Sequence, residues 1–474
     1  MKDTTLNDLT YSLEEQRKRV LGEQPEINLV GACKLNDGVI LHASFEQKRF
    51  IHRFLKSKTP TTFFIPASGS GSRMFQFLFD FLEEPDEENR SKTEKFLNAI
   101  QSFAFFELLP YDLKEKVRDY DVNLDEFVSY LLKEEGLGLG GIPKGLIPFH
   151  RSRSFVLNAF QEQLIQGLQV TERPSQFHFT INGNFDERIR ASLDSVLHLT
   201  GKEAQVTTSV QNPATDAIAF DHEGEPVVIE GGAYLRRPSG HGALLDNLNA
   251  IDAPIVFVKN IDNVQHESQS LVAIDNFRYL GGLLQCLKED LLEVLESTDK
   301  KEHFKLLNER YHLVHRDFDF DECSEEELNQ LLLRPIRVCG MVRNEGQPGG
   351  GPFWVEENGV VSKQIVEKAQ IRMKGEQYRL MVQSQYFNPV LMALSPRNCR
   401  DEKLDLHAYA DPNKYFIVDK KFEGKSIKFT EFPGLWNGSM ANWLTLFVEV
   451  PSETFTPVKN VLDLLNKAHI EKKE

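Results

Sequence analysis

The chain has 474 residues, of which 41% are hydrophobic and 27% are charged, a composition typical of a globular protein with several structural units rather than a disordered or fibrous one. It carries 55 lysine and arginine residues against 71 aspartate and glutamate residues, and the net charge of −16 argues against non-specific binding to nucleic acid or to an anionic membrane. Any anionic ligand must therefore be held by a local cationic cluster.

The beginning of the chain predicts a cytoplasmic location. Residues 1–8 are polar and acidic, where a secretory signal needs an apolar core. No later run approaches the roughly 18 apolar residues of a membrane span. The five cysteines are far apart and form no Cys-x-x-Cys pair, which is typical of reduced thiols.

Two helices are predicted before the first strand. The first covers residues from about 9 to 21 and has a capping signal at Ser12, and the second covers residues 45–58 and stops before Pro60. We expect residues 1–60 to form a helical collar around the core.

The most informative local pattern is a strand, a loop of small residues and a helix. Phe63 to Ile65 predict a buried strand, and Phe75 to Leu82 predict a core helix. The loop between them has the sequence Ser68, Gly69, Ser70, Gly71, Ser72, Arg73. Glycines allow close approach of a ligand and a helix start offers unpaired N–H groups to an anion. The alternative is an ordinary surface turn, and no Gly-Lys-Ser/Thr follows as in a Walker loop.

A second glycine-rich loop follows a helical insertion that we predict at residues 84–135. Residues 136–149 contain five glycines, but no strand precedes them and Pro143 stands where a dinucleotide-binding helix would begin, so a dinucleotide-binding loop is disfavoured. Lys144, fixed after this proline, can place a compact ammonium charge against a phosphate. An exposed loop lysine is the simpler alternative.

Strands and helices then alternate. Helices are predicted at residues 155–168 and 186–199, and strands at residues 177–181 and 205–210, which favours a layered α/β fold whose ligands lie beyond the carboxyl ends of the strands. The apolar strand from Ile255 runs into Asp262, flanked by Asn260 and Asn263. These oxygen ligands suit Mg²⁺, and an Asx turn is the alternative.

The last part of the chain is predicted to be rich in strands. A mainly helical stretch at residues 277–333 precedes a strand at residues 334–342 and a Gly/Pro-rich loop at residues 343–354. Asn344 and Glu345 in this loop, with the aromatic pair at its end, have the ingredients of a sugar site. A mobile linker is the alternative. Residues 462–469 predict a small helix.

The order of these motifs resembles the sugar-nucleotide pyrophosphorylases. Residues 67–74 are similar to that family's Ala-Gly-Gly-x-Gly-Thr-Arg-Met/Leu loop. As in the family, a Pro-Lys pair, a Gly-rich loop and a strand end of the Val-Asp-Asn type follow, here at residues 143–144, 240–242 and 261–263. Residues 387–389 and 455–460 resemble two later segments. The resemblance spans roughly residues 63–460 and is closest to the UDP-N-acetylhexosamine and UDP-glucose pyrophosphorylases, in a bacterial DUF4301-type branch.

This resemblance implies a three-layer, mixed-sheet core of the nucleotide-diphospho-sugar transferase (GT-A-like) type. The core would cover residues 61–333, and residues 334–474 would form a β-rich part on the sugar side with a C-terminal helix. The implied partners are a nucleoside triphosphate, with UTP favoured, and a sugar 1-phosphate. No nucleic acid or membrane partner is expected, and the oligomeric state stays open.

The resemblance also implies a role for each matched residue. Arg73, Lys144 and Lys459 would act on the phosphates as catalytic residues, Asp262 would hold Mg²⁺, and Asn388 would contact the sugar. Asn344 and Glu345, the sugar-site candidates of the Gly/Pro-rich loop, rest on the composition of that loop instead. The residues implied in nucleotide binding are Ser68, Gly69, Ser70, Gly71, Ser72, Gln211, Gly240, His241 and Gly242.

The implied reaction needs positioned positive charge rather than a general base. A sugar 1-phosphate oxygen attacks the α-phosphorus and pyrophosphate leaves, and the nucleophile is already an anion because its second pKa is near ~6. Lys, Arg and Mg²⁺ then neutralise crowded negative charge.

Three departures from the family leave other functions open. Ser68 and Ser72 replace a glycine and a threonine, and about seventy residues separate the loop from Lys144 where the family has around a dozen. A GT-A glycosyltransferase, with Asn260 to Asp262 as its metal motif, is one alternative. A non-catalytic nucleotide-sugar-binding protein is the other.

Overall fold

A computed structural model describes residues 10–84, 86–346 and 350–472 of the chain. The polar N-terminal run, on which the expectation about targeting depends, and residues 347–349 of the Gly/Pro-rich loop lie outside these ranges. Among the described residues, no helix is both long enough and apolar enough to cross a membrane.

The described residues form short strands and mostly amphipathic helices. The strands are β1 (Asn28–Ala32), β2 (Lys34–Leu35), β3 (Gly38–Ile40), β4 (Thr61–Pro66), β5 (Pro148–Ser152), β6 (Phe155–Asn158), β7 (Ser175–Thr180), β8 (Ala204–Ser209), β9 (Ala217–Ile218), β10 (Arg236–Arg237), β11 (Ile255–Val258), β12 (Ile336–Arg343), β13 (Gly351–Glu357), β14 (Val360–Val366), β15 (Tyr386–Phe387), β16 (Met392–Ser395), β17 (Phe416–Phe422), β18 (Lys425–Glu431) and β19 (Leu444–Glu449). The α-helices are α1 (Leu13–Leu21), α2 (Ser44–Lys56), α3 (Gln76–Glu83), α4 (Glu87–Asn98), α5 (Tyr111–Arg118), α6 (Leu124–Leu132), α7 (Ala159–Val170), α8 (Asp186–Thr200), α9 (Leu245–Asn249), α10 (Leu271–Glu296), α11 (Lys300–Tyr311), α12 (Glu325–Leu332) and α13 (Gly375–Val382).

The chain divides into two compact units, each assembled from several stretches. Unit 1 contains residues 1–61, 211–257 and 279–452, and unit 2 contains residues 62–210, 258–278 and 453–474. This grouping differs from the three consecutive domains expected from the sequence, which remain a prediction.

Unit 2 is a layered α/β structure. Strand β7 pairs in parallel with β4 on one side and with β8 on the other. Its apolar side chains fill the interior, where the rings of Phe63 and Phe177 stack at 4.9 Å between centroids. The connections through α7 and α8 are those that parallel strands require, which confirms the predicted alternation of strands and helices.

The helical insertion is part of unit 2. Helices α4, α5 and α6 lie within the predicted residues 84–135, joined by two short 3-10 helices. The rings of Phe96, Phe103 and Phe105 contact one another, and Phe75 and Phe77 at the start of α3 contact the same cluster. The insertion thus has an aromatic core of its own that joins it to the helix after the glycine-rich loop.

Unit 1 contains a mixed sheet. In it β12 pairs in parallel with β19 and antiparallel with β16, and β19 continues in parallel to β3. A second sheet of β1, β13 and β14 and the hairpin of β17 and β18 are antiparallel. The predicted α/β fold with a mixed sheet and a β-rich C-terminal part is confirmed.

Three local predictions differ from the structure. The first 60 residues contain strands β1 to β3 as well as the two helices, because β1 pairs with β13 and β3 pairs with β19 far along the chain, while β2 pairs with β3. Phe155 to Asn158 form a hairpin strand with β5, and the helix begins only after Asn158, whose side chain caps it. The C-terminal segment forms 3-10 helices at Val461–Leu465 and Lys467–His469 rather than one α-helix.

Candidate functional site

The glycine-rich loop lies at the carboxyl end of β4 in unit 2. Gly71 is buried and fits only without a side chain, since an added Cβ would lie 2.6 Å from Ile147 Cδ1 and 2.7 Å from Ile142 O. At Gly69, by contrast, an added Cβ would meet nothing within 4 Å. One glycine therefore allows the loop to pack, and the other leaves an open surface above the backbone.

The loop is joined to the second glycine-rich segment by backbone hydrogen bonds. Gly71 N donates to Ile142 O at 3.0 Å, and Lys144 N donates to Gly69 O at 3.0 Å. These bonds place Lys144 beside the loop although about seventy residues separate them in sequence. Ser68, Gly69 and Ser70 are exposed, and among the described residues their backbone N–H groups have no hydrogen-bond acceptor.

Asp262 follows β11 on a turn that buried polar side chains hold in place. The amide of Gln163, on α7, lies 2.9 Å from Asn260 O and 3.3 Å from the carbonyl oxygens of Ile261 and Asn263. Ile261 N also donates to Pro66 O at the end of β4. The turn is therefore fixed to both the helix and the strand that precedes the glycine-rich loop.

Two ammonium groups bind one oxygen of this carboxylate. Lys144 Nζ lies 3.1 Å and Lys459 Nζ 2.8 Å from Asp262 Oδ2, and Asp262 is only 7% exposed. Lys144 Nζ also donates to Val458 O at 2.9 Å, and Val458 N donates to Asp262 O at 3.0 Å. Three segments that are distant in sequence therefore meet at one point of unit 2.

The charges in this cluster shift one another's pKa values. Burial raises the pKa of the Asp262 carboxyl, but the ammonium groups of Lys459 and Lys144 outweigh it, so the pKa lies below its ordinary value and the group is ionised. Burial, the largest influence, lowers the pKa of Lys144; Asp262 opposes this shift, while Lys459 and Arg73 add to it. Three cations and one carboxylate leave the cluster with an excess of positive charge, even though the chain as a whole carries −16.

The residues present fit a magnesium ion only with help from a substrate. Among the described residues no group of three or more His, Cys, Asp or Glu side chains lies close enough to hold a metal. Asp262 can offer Oδ1, because both lysines bind Oδ2. Mg²⁺ commonly takes one or two carboxylates together with water and substrate phosphates, so a single carboxylate is a sufficient protein contribution.

The residues expected to read the base lie in unit 1. Gln211 Nε2 is 3.2 Å from Asp216 Oδ1, and the ring of His241 stacks on Trp436 at 4.3 Å between centroids. Gly240 has φ +72°, and an added Cβ would lie 2.5 Å from Glu431 Oε2. A Cβ added at Gly242 would lie even closer to Pro433 O. Close packing thus explains the glycines of this loop, and its contact with a nucleotide stays a prediction.

The expected sugar-binding residues also belong to unit 1. Asn344 and Glu345 are exposed, and Asn344 lines a cavity of about 590 Å³ together with Gln383, Gln385 and Tyr386. Asn388 is buried, and its amide bonds the backbone of Gly340 and Val390. These placements leave the sugar contacts as predictions.

The family described as "Domain of unknown function (DUF4301)" matches residues 5–470, almost the whole chain. This chain belongs to the DUF4301 family. The DUF4301-type branch suggested by the sequence motifs is thereby confirmed. No curated protein matches the DUF4301 chain in sequence at a significant level.

Solved structures similar to the DUF4301 chain include UDP-sugar pyrophosphorylases. A UDP-glucose pyrophosphorylase variant from Leishmania major shares 14% identity over 93% of this chain and 70% of its own, with a TM-score of 0.42. A putative UDP-N-acetylglucosamine pyrophosphorylase from Entamoeba histolytica shares 12% identity over 88% and 81%, with a TM-score of 0.46. Because these TM-scores are below 0.5, the function of the DUF4301 chain is inferred from its own residues.

The sequence patterns missed a buried polar chain in unit 2 of the DUF4301 protein. His150 Nδ1 lies 2.6 Å from Glu162 Oε1, and His150 Nε2 lies 2.9 Å from His469 Nδ1. All three side chains are almost fully buried. The available signal was the glutamate that stands among four glutamines on helix α7, which also carries the apolar residues of a core helix, since buried polar side chains need partners.

Proposed function

We propose that this protein is a sugar-1-phosphate nucleotidyltransferase that joins a sugar 1-phosphate to a nucleoside triphosphate, UTP by preference, and releases pyrophosphate. The observation that carries the proposal is the Asp262 carboxylate held between Lys144 and Lys459 beside the glycine-rich loop. Sequence motifs separated by 118 and 197 residues converge there.

The cluster has the properties of a polyphosphate site. The N–H groups of the exposed residues 68–70 can donate to phosphate oxygens, as backbone amides do in other phosphate loops. Like charges repel by about 1 to 4 kcal/mol at 4 Å, depending on the surrounding dielectric. Asp262 offsets this repulsion between the two ammonium groups, so they are already in place before an anion arrives.

The reaction requires no proton transfer from the protein. An oxygen of the sugar 1-phosphate forms a new bond to the α-phosphorus, the bond between the α-phosphorus and the bridging oxygen breaks, and pyrophosphate leaves with the electron pair. Lys144 and Lys459 would neutralise charge that develops on the α-phosphate, and Arg73 would bind the leaving pyrophosphate. The chain's own contribution is thus to bind the two substrates, to align them and to neutralise the charge on their phosphates.

Asp262 is the residue that would hold a magnesium ion in this proposal. Bound Mg²⁺ supplies further neutralisation of the phosphate oxygens. Gln211 and the loop of residues 240–242 would select the base, and Asn344, Glu345 and Asn388 would contact the sugar. These assignments rest on the sequence motifs.

The deciding experiment measures pyrophosphate release from the full chain with Mg²⁺. Each nucleoside triphosphate is paired in turn with a panel of hexose and N-acetylhexosamine 1-phosphates. We expect release with one nucleotide and one sugar class and its loss when EDTA removes the metal. Release that occurs equally without any sugar 1-phosphate would indicate hydrolysis and contradict the proposal.

The two alternative functions give different results in the same assay. A glycosyltransferase would release UDP from a UDP-sugar in the presence of an acceptor, with no pyrophosphate at any pairing. A non-catalytic binding protein would show a higher melting temperature with UTP or a UDP-sugar and no turnover. Either pattern would replace the proposed reaction.

A further inference from the structure

The surrounding protein holds the side chain of Lys459 less firmly than that of Lys144. The side chain of Lys459 is 57% exposed and that of Lys144 only 13% exposed. Asp262 Oδ2 is the one acceptor that the described residues offer to the Lys459 ammonium group. Fixing a long exposed side chain in one rotamer costs conformational entropy. A single ion pair offsets little of that cost, so the position of the Lys459 ammonium group depends on how firmly the backbone of Lys459 is held.

The backbone of Lys459 is bound by a carboxylate four residues later. Asp463 Oδ2 accepts hydrogen bonds from the N–H groups of Lys459 and Asn460, both at 2.8 Å. Asn460 Oδ1 in turn accepts from Leu462 N at 2.9 Å, which completes a reciprocal cap of the 3-10 helix at Val461–Leu465. This carboxylate therefore closes the turn that presents Lys459.

The rest of the segment is attached to the stretch that follows Asp262. Thr456 N donates to Asn263 Oδ1 at 3.0 Å, and His266 N donates to Ala468 O at 2.9 Å. These bonds hold the segment before Lys459 and the segment near residue 468. Val458, directly before the turn, is bonded to Asp262 and Lys144 as well. Within residues 459–463, the backbone hydrogen bonds of the described chain are internal to the turn, and Asp463 accepts two of them.

We propose that Asp463 is a positioning residue that holds Lys459 against Asp262 and so aims its ammonium group at the phosphates. The role in catalysis rests on the proposed function, whereas the placement of Lys459 does not. Loss of the Asp463 carboxylate leaves two N–H groups without their acceptor and frees the Lys459 backbone.

The first test measures the placement of Lys459 without any substrate. Full-length wild type, Asp463→Ala and Asp463→Asn are labelled with an amine-reactive reagent at low conversion, and the rate at Lys459 is read by mass spectrometry against the exposed Lys467. Asp86→Ala is the matched control, because Asp86 Oδ1 caps α4 through Asn89 N at 2.7 Å in the same unit.

We expect Asp463→Ala to raise the labelling rate of Lys459 about fivefold, the factor expected for loss of one capping interaction. Asp463→Asn keeps an oxygen that accepts the same two N–H groups, so it should label like wild type. Asp86→Ala should leave Lys459 unchanged. Equal labelling of Lys459 in wild type and Asp463→Ala would overturn the proposal.

The second test measures turnover. Asp463→Ala should lower kcat about fivefold with little change in KM, and Asp463→Asn should restore it. In a Lys459→Ala background the same change should have no further effect, because coupled residues are non-additive. Full additivity would contradict the positioning role. If labelling changes as expected but wild type releases no pyrophosphate at any pairing, the proposed function fails while the placement of Lys459 by Asp463 stands.

Discussion

At the scale of single residues, the site depends on the Asp262 carboxylate, which neutralises only part of the positive charge around it. Asp262 carries a single negative charge and binds two ammonium groups through the same oxygen. Asp262 and Lys144 are buried, so removing one member of the set leaves the others with unbalanced charge, and substitutions here affect both the geometry and the electric field of the site.

Lys144→Ala tests the contribution of the buried ammonium group. We expect turnover to fall roughly a hundredfold, as for the loss of one preorganised donor at a developing charge, while the fold is retained. Lys114→Ala is the matched control, because Lys114 is similarly buried at 18% side-chain exposure and bonds Glu107 in the same unit. The measurement is steady-state pyrophosphate release from both variants. Wild-type turnover in Lys144→Ala would exclude a role for this lysine in catalysis.

At the scale of elements, the glycine-rich loop must pack closely at one position and leave its backbone open at another, two residues before it. Gly71 must pack against Ile142 and Ile147, and Gly69 leaves the backbone open. The roles of the two glycines can therefore be distinguished by substitution, because within the described chain only Gly71 is packed too tightly to carry a side chain.

Gly71→Ala should destabilise the protein by about 1–3 kcal/mol, because the new methyl group overlaps a backbone oxygen and a core side chain. Gly69→Ala should leave the melting temperature unchanged but raise the nucleotide KM, since the methyl group would project where a phosphate approaches the backbone. Thermal unfolding and kinetics of the two variants, made side by side, provide the measurement. Unchanged binding in Gly69→Ala would argue against phosphate contact at this loop.

The sequence predicted most of these elements because their signals are local. The strand before the loop, the helix after it and the helical insertion all have hydrophobic patterns within short windows. The sequence analysis assigned the residues of β6 to the start of α7. Pairing with β5 makes these residues a strand, and the side chain of Asn158 caps the helix that begins after them. Pairing of this kind is tertiary and outweighs local propensity.

At the scale of the whole molecule, a buried chain of ionisable groups couples stability to pH. Burial lowers the pKa of His150 and of His469 to about 3 and raises the pKa of Glu162 to about 8. In the folded protein the histidines are therefore neutral, and Glu162 keeps its proton near pH 7. Other titratable groups that influence these three are His266, Glu267, Lys259 and Asp463.

The histidines should make the protein less stable as the medium becomes acidic. Between pH 6.5 and about 3 they bind protons in the unfolded chain but not in the folded one, so their contribution is complete above pH 6.5 and is lost as the pH falls. Glu162 acts in the opposite direction, and its contribution falls as the pH rises from 4.5 through about 8. The net slope below pH 4.5 is therefore set by the histidines and by surface carboxylates.

The variant His469→Gln isolates the histidine contribution. We expect its melting temperature to fall less steeply than that of wild type between pH 6.5 and 4, because one depressed histidine is gone while the carboxylates are unchanged. His222→Gln is the control, since the side chain of His222 is 82% exposed. Parallel slopes in wild type and His469→Gln would contradict the assigned shift.

The sequence by itself determined the α/β class and the strand, loop and helix around the glycines, and it predicted which residues bind phosphate. These features depend on composition, on periodicity within short windows and on motifs whose residues are adjacent in the chain. Only the tertiary structure decided that Lys144, Asp262 and Lys459 meet, that Gly71 rather than Gly69 is needed for packing, and that His150 bonds His469 across 319 residues. Such contacts follow from how the chain packs as a whole, because no local pattern specifies which distant segment will lie beside a given side chain.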